Sequence, residues 1–180
     1  MTERAWLMLL MSMPAQPSTQ RVYVWRKLKA AGVLYLQKSV CLLPDAPAHR
    51  ETLDQIHSDI ETRAGEATIS TIRFENPDEE AALIARFQAL AAEEYGEFLG
   101  QCRDFHLELE KERADKHFTF AELEENEAEL EKLRKWLPKI EARDHFPSEA
   151  MNQAREELEA CRLNFERYTS EVSDREVPES

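Results

Sequence analysis

Apolar residues in the first 75 positions follow five successive patterns, and each pattern predicts one element. Residues 6–13 form an apolar run that fits a buried strand. When residues 18–31 are placed about 100° apart, their apolar side chains fall on one side, as in a helix with one packed face. A second apolar run covers residues 33–43, residues 48–64 repeat the helical spacing, and residues 68–74 alternate with period two. The order is therefore strand, helix, strand, helix and strand.

The middle apolar run is long enough to supply two strands. A bend at Lys38 and Ser39 would divide it into an antiparallel pair and give the order βαββαβ. We therefore predict an α+β fold, with a ferredoxin-like domain over residues 1–75 and two helices on one face of its sheet.

Local signals mark both ends of the helix at residues 18–31. Pro17 and Ser18 predict its start, with the Ser18 hydroxyl as the cap, and Gly32 suits the left-handed position after its end. The helical spacing predicts a packed face formed by Val24, Trp25, Leu28 and Ala31, and a basic side formed by Arg26, Lys27 and Lys29.

Helical spacing dominates the second half of the chain. It covers residues 77 to about 114, resumes at Thr119, and resumes again near Ser148. We predict a helical hairpin or three-helix extension over residues 76–170 and a disordered tail over residues 171–180. The extension has two interpretations: an arm that mediates pairing, or a bundle that only stabilises the domain.

Charge is distributed unevenly along a chain with 36 acidic and 23 basic residues and a net charge of −13. Residues 1–50 contain seven basic and two acidic residues, a balance of +5, which leaves −18 for the remainder. A basic N-terminal face could steer an anion or a nucleic-acid backbone, or be simply a solvated helix surface. The acidic total argues against general DNA binding, because neutralisation of phosphates drives that affinity.

The apolar and cysteine residues exclude several classes of protein. The first apolar run is shorter than the roughly 20 residues that span a bilayer, and its flank does not resemble a secretion signal, so we expect a cytoplasmic protein without membrane contact. Three cysteines far apart in sequence do not predict a disulfide framework or a zinc ribbon. The thiols of Cys41, Cys102 and Cys161 are expected to be reduced core residues, and the alternative is a redox-sensing role for one of them.

Motifs for catalysis are scarce. Four glycines do not form a phosphate-binding loop or a dinucleotide fingerprint, and no serine, histidine and acid arrangement follows from spacing. Asp54 and His57 share a helical face, but a di-iron carboxylate site would need further Glu-x-x-His repeats. We therefore predict that the chain is not an enzyme and has neither a cofactor nor a metal site.

Two segments resemble a known family. Residues 21–53 read RVYVWRKLKAAGVLYLQKSVCLLPDAPAHRETL, residues 118–146 read FTFAELEENEAELEKLRKWLPKIEARDHF, and both are similar to the N-terminal domain of ChrB, the chromate-resistance regulator. Full ChrB proteins continue into a second domain. The stretch LQKSVCLL also resembles, more distantly, the ferredoxin-like domain of the PaaX repressors and of CRISPR-associated nucleases. Those nucleases hold a metal through an aspartate at the end of the first strand, and residues 11–15 here contain no carboxylate.

One local group of residues predicts an anion site. Arg21 lies in the first turn of its helix, where free backbone amides favour anions. An arginine there would bind chromate, sulfate or one DNA phosphate directionally, unless it is paired with an acidic residue elsewhere. The candidates for anion or nucleic-acid binding are Ser18, Thr19, Gln20, Arg21, Arg26, Lys27 and Lys29.

The resemblance implies a non-enzymatic regulatory or sensor module in the transcriptional control of chromate resistance. Its partners would be promoter DNA and chromate or sulfate. The alternative is an interaction module without DNA binding of its own, which forms a homodimer or joins a separately encoded ChrB C-terminal-type domain. The lack of a recognisable helix-turn-helix pattern argues against direct operator binding by this chain alone.

Overall fold

The computed structural model describes residues 3–116 and 118–176. This part of the chain contains four strands and five helices, and the α+β prediction is confirmed. The elements are β1 (Trp6–Ser12), α1 (Ser18–Ala30), β2 (Leu34–Gln37), β3 (Val40–Pro44), α2 (Pro47–Glu61), β4 (Glu66–Ile72), α3 (Pro77–Asp115), α4 (Phe120–Glu141) and α5 (Glu149–Glu176).

The four strands form one antiparallel sheet in the order β2-β3-β1-β4. The middle apolar run divides at Lys38 and Ser39 as predicted, because β2 ends before these residues and β3 begins after them. In the centre of the sheet Leu9 is opposite Cys41 on β3 and Ile69 on β4. The central strand β1 therefore has a paired neighbour on both sides.

Apolar side chains cover both faces of the sheet. Successive residues of a strand point to opposite faces, and Trp6, Leu7 and Leu9 are all fully buried. One face packs against α1 and α2, and the other against the start of α3. The first cluster contains Leu7, Leu9, Val24, Leu28, Val33, Cys41, Leu43, Leu53, Ile56 and Ile60, and the second contains Trp6, Leu34, Leu42, Leu83 and Phe87.

Two predictions for α1 are wrong. Val24 and Leu28 form the packed stripe, but Trp25 is 50% exposed, because a stripe of residues four apart already fills the contact with the sheet. Ser18 does not cap the helix, since Ser18 is itself the first helical residue and the cap position belongs to Pro17.

Gly32 has the left-handed conformation that the sequence predicts, with φ of 69°. A Cβ atom at this position would lie 2.6 Å from the carbonyl oxygen of Arg143 and 2.8 Å from Nε2 of His145. Glycine is therefore required both by the backbone conformation and by the close approach of another segment.

The last three helices enclose their own core, which also contains two buried polar residues. Asn126 Nδ2 donates to the two carboxylate oxygens of Glu112 at 2.8 and 3.0 Å and to the carbonyl oxygen of Glu122 at 2.8 Å. The apolar core residues include Tyr95, Phe98, Cys102, Leu109, Leu130, Leu137, Ala154, Cys161, Tyr168 and Val172.

The chain divides into two compact units. The sheet unit comprises Met1–Ala89 and Ala142–Phe146, and the helical unit comprises Leu90–Glu141 and Pro147–Ser180. The domain boundary at residue 75 that the sequence suggests stays a prediction.

Helix α5 extends further than the sequence pattern indicates. It includes residues 171–176, which we expected in the tail, and Val172 is only 2% exposed because it packs into the helical core. Residues 177–180 of the predicted tail lie outside the described residues. Within the described chain, every helix is too short or too polar to cross a membrane.

Candidate anion-binding cleft

Three segments of the sheet unit meet around a cleft of about 540 Å³. They are the end of β1, the first half of α1 and the turn between β2 and β3. We call this feature the cationic cleft. Its lining residues are Met11, Ser12, Met13, Arg21, Trp25, Tyr35, Lys38 and Ser39.

Local structure places these residues together. Arg21 and Trp25 lie one turn apart on α1 and therefore share a helix face. The backbone N–H of Met11 donates to the carbonyl oxygen of Ser39 at 2.9 Å, which holds the β2–β3 turn beside the end of β1. The turn thereby brings Lys38 to the same opening as Arg21.

The cleft carries positive charge that the described chain does not neutralise locally. Among residues 3–116 and 118–176, Arg21 and Lys38 have no carboxylate partner, so the predicted alternative of an ion-paired Arg21 is not seen there. All the lining residues lack a carboxylate. A cluster of this kind favours an anion because arginine and lysine donate charge-assisted hydrogen bonds.

Aromatic and hydroxyl groups complete the lining. Lys29 Nζ lies 5.4 Å from the centre of the exposed Trp25 ring, so this lysine adds its charge at the rim. Burial raises the pKa of Tyr35 to about 12, with a smaller contribution from the neighbouring Cys41. Tyr35 therefore keeps its phenolic proton at neutral pH and can donate a hydrogen bond.

The predicted anion-binding residues do not all lie in the cleft. Arg21 lines it, whereas Ser18, Thr19 and Gln20 occupy the first turn of α1 and Arg26 is exposed on the same helix without being a lining residue. Their roles in anion binding stay predictions.

Lys27 contacts residues that do not line the cleft. Its ammonium group is paired with Asp59 on α2 and lies 5.0 Å from the Tyr23 ring. Arg63 Nη1 also contacts Asp59 Oδ1 at 3.0 Å. The hydrogen bond with Asp59 raises the pKa of Lys27, and the same bond lowers the pKa of Asp59. Lys27 is thus already neutralised, unlike Arg21.

Sequence reasoning missed the contribution of residues outside α1. The helical spacing assigns Trp25 to the packed face, and it gives no sign that Lys38, Ser39, Ser12 and Tyr35 lie in one cleft with Arg21. The usable signal was Lys38 and Ser39 at the predicted bend, because in the order βαββ that turn lies beside the end of β1.

The three cysteines have buried, free thiols. Burial raises the pKa of Cys41 to about 12. The pKa of Cys161 is also raised, first by a hydrogen bond with Cys102 and then by burial. Protonated thiols such as those of Cys41 and Cys161 are poor nucleophiles, and Cys102 is fully buried. The redox-sensing role considered for one of the three thiols therefore stays a prediction without support from the geometry.

Comparison with known proteins identifies the family of the chain. The family model described as Protein ChrB, N-terminal, matches residues 21–178. Protein ChrB of Cupriavidus metallidurans is 30% identical over 161 residues, which cover 87% of this chain and 44% of that protein. The chain thus spans less than half the length of this relative, and no solved structure matches it. The chain belongs to the ChrB N-terminal family.

Proposed function

We propose that this chain is a regulatory module in the transcriptional control of chromate resistance, and that the cationic cleft binds a tetrahedral oxyanion group of its promoter DNA, a backbone phosphate. The observation that carries the proposal is the pair of Arg21 and Lys38, two cations without carboxylate partners in the described chain, beside the exposed Trp25. Chromate and sulfate share the tetrahedral oxyanion geometry, so either would compete for the same donors.

The distribution of charge supports phosphate binding by the sheet unit. This unit contains 11 basic and 12 acidic residues, whereas the helical unit contains 12 basic and 24 acidic residues. Nearly all of the excess negative charge therefore belongs to the helical unit. A phosphate that enters the cleft meets Arg21 and Lys38 in the lining and Lys29 at the rim, and no lining residue carries a carboxylate.

The size and lining of the cleft also fit a nucleic-acid backbone. A cleft of about 540 Å³ has room for more than a single small anion, so a phosphate with its sugar can enter. Trp25 offers a flat exposed face, and Ser12 and Ser39 offer hydroxyl donors. These groups position a backbone without reading its bases, which agrees with the absence of a predicted base-reading element.

We also propose that the sheet unit has the ferredoxin-like arrangement of strands and helices. The element order β1-α1-β2-β3-α2-β4, the sheet order β2-β3-β1-β4 and the packing of α1 and α2 in one cluster support it. We expect no catalytic activity, and we expect the protein to act in the cytoplasm, where its promoter is.

A second candidate function rests on exposed apolar side chains of the sheet unit. Leu10 on β1, Leu36 on β2, and Val22 and Trp25 on α1 are individually exposed. A surface that contacts another protein would use apolar side chains of this kind. In that case the chain would dimerise or bind a ChrB C-terminal-type domain that is separately encoded, and DNA binding would need the partner.

Fluorescence anisotropy with promoter DNA across a salt series tests the proposal. We expect binding at low salt, with a log–log salt slope that falls by about one when both Arg21→Ala and Lys38→Ala are introduced, because neutralisation of one phosphate contributes about one unit. The control is Arg73→Ala, which removes an exposed arginine of the same unit outside the cleft and should change the slope by less.

Chromate and sulfate additions separate a sensor from a general phosphate binder. Release by chromate beyond that caused by sulfate at matched ionic strength would establish chromate sensing. The absence of DNA binding at low salt would contradict the proposal. A dimer or a complex with the second domain, measured by light scattering, would then favour the interaction module.

A further inference from the structure

Three side chains of different chemistry meet inside the helical unit. His106 on α3 faces Glu157 and Cys161, which lie one turn apart on α5. His106 Nε2 is 3.2 Å from Oε1 of Glu157 and 3.4 Å from Sγ of Cys161, and the ligand atoms of all three residues lie within 4.8 Å of one another. Cys161 is buried, and the other two are half-buried.

We propose that His106, Glu157 and Cys161 bind Zn²⁺. With Zn–N and Zn–O bonds of about 2.0–2.1 Å and a Zn–S bond of about 2.3 Å, a tetrahedral site places nitrogen and oxygen about 3.3 Å apart and nitrogen and sulfur about 3.6 Å apart. The corresponding separations in the protein, 3.2 and 3.4 Å, are close to both values. The third pair, the Glu157 oxygen and the Cys161 sulfur, lies within 4.8 Å, and the two atoms would approach each other to about 3.6 Å around the ion.

The donor set selects the metal. Imidazole nitrogen, thiolate sulfur and carboxylate oxygen are the three ligand types of protein zinc sites, whereas Mg²⁺ and Ca²⁺ prefer oxygen donors. Binding converts the Cys161 thiol to a thiolate and releases one proton to solvent. The charge of the ion balances the thiolate and the Glu157 carboxylate. Three protein ligands leave the fourth position for water, and the ion would link α3 to α5.

Asn164 is the positioning residue for His106. Its Nδ2 lies 2.7 Å from Nδ1 of His106, and its Oδ1 accepts a hydrogen bond from Arg113 Nη1 at 3.0 Å. Because arginine only donates, this arrangement places the His106 proton on Nε2. Zinc binding moves that proton to Nδ1, and Asn164 must then turn its oxygen towards His106. Arg113 retains its contacts with Glu171 and with the carbonyl oxygen of Asn164.

Titration of the full chain with Zn²⁺ alone, by calorimetry, measures the site directly. Co²⁺ as a probe adds a thiolate-to-metal charge-transfer band that reports Cys161. We expect His106→Gln and Cys161→Ser to weaken Zn²⁺ binding by at least about tenfold and Cys161→Ser to remove the band. The matched control is His57→Gln, because His57 also faces a glutamate one turn away, Glu61 at 3.5 Å, but without a thiol. It should leave the affinity unchanged.

Asn164→Asp tests the site through a gain in Zn²⁺ affinity, which a variant that fails to fold would not show. A carboxylate would accept hydrogen bonds from Arg113 and from His106 Nδ1–H together, so we expect Zn²⁺ to bind about tenfold more tightly or better. Circular dichroism establishes that each variant is folded, and Zn²⁺ should raise the melting temperature of the unmodified chain. Equal Zn²⁺ affinity in the unmodified chain and His106→Gln would overturn the proposal, as would an unchanged affinity in Asn164→Asp.

Discussion

The sheet unit and the helical unit differ in charge as much as in architecture. Acidic and basic residues nearly cancel in the sheet unit, whereas acidic residues outnumber basic ones two to one in the helical unit. The cationic cleft lies in the first and the proposed zinc site in the second. The difference shows that a net charge of −13 does not exclude phosphate binding, because affinity depends on the charges around the site.

The two units also differ in what they bury. The buried residues of the sheet unit are apolar on both faces of the sheet, whereas the buried polar residues of the described chain, Glu112 and Asn126, both belong to the helical unit. Substitutions should therefore destabilise the units through different physical terms.

The largest effect is expected for Trp6→Ala in the sheet unit. Trp6 is fully buried, stacks on Phe87 with ring centres 5.8 Å apart, and donates from Nε1 to Glu80 at 2.7 Å. Loss of these contacts and the resulting cavity should lower the free energy of unfolding by about 3–5 kcal/mol, measured by urea unfolding with circular dichroism. Leu36→Ala, at an exposed position of β2, is the control. A comparable loss in both variants would contradict the burial of Trp6.

Asn126→Ala tests the buried polar pair of the helical unit. The change removes the amide that donates to both oxygens of Glu112 and leaves a carboxylate buried without that donor. We expect a loss of about 1–3 kcal/mol in the free energy of unfolding. Asn152→Ala, at an exposed position, serves as the reference variant. An unchanged free energy of unfolding in Asn126→Ala would mean that water replaces the amide as the donor to Glu112.

His145 gives the sheet unit a dependence on pH. Its Nε2 bonds the carbonyl oxygen of Ala31 at 3.0 Å, and burial, followed by repulsion from His49, lowers its pKa below the ordinary 6.5. The neutral form is therefore favoured in the folded state. This contribution to stability is complete above about pH 6.5 and is lost as the pH falls below that value, by at most about 1.4 kcal/mol per pH unit.

Urea unfolding at about pH 7.5 and about pH 5.5 measures this slope. The slope should decrease in His145→Gln and persist in His57→Gln, whose histidine is paired with Glu61 on the surface. A slope that His145→Gln leaves unchanged would assign the pH dependence to other groups.

The smallest effect is expected for Arg162→Ala on the acidic helical unit. Arg162 pairs on α5 with Glu159 at 2.6 Å and with Glu166, and these bonds raise its pKa and lower that of Glu159. Because the pairs are exposed, the loss of stability should be the smallest of the series and should shrink as salt is added. Thermal unfolding at two salt concentrations measures it, and a salt-independent loss would point to packing instead.

Sequence patterns predicted the elements better than they predicted the site. Periodicity located the strands, the helices and the division at Lys38 and Ser39, because these features are set by residues that are close in sequence. It misplaced Trp25, because a 100° stripe does not show how wide the contact with the sheet is. The cap at Ser18 failed because the extended Pro17 occupies that position.

Sequence patterns do not predict sites that are assembled from distant segments of the chain. The cationic cleft joins β1, α1 and the β2–β3 turn, and spacing along the chain does not reveal which side chains meet there. We predicted no metal site, and the cluster of His106, Glu157 and Cys161 joins residues about 50 positions apart. Only the one-turn spacing of Glu157 and Cys161 was visible in advance.

The sheet unit includes Ala142–Phe146, and this limits where a truncated variant of the protein can end. Phe146 lies 5.9 Å from Trp6 and 5.4 Å from Phe87, measured between ring centres, and His145 reaches the end of α1. A fragment that stops at residue 89 would leave these aromatic faces open to water and lose the partner that Gly32 accommodates. The sheet unit is thus not encoded by one continuous stretch of the gene, and truncations meant to isolate it should retain residues up to 146.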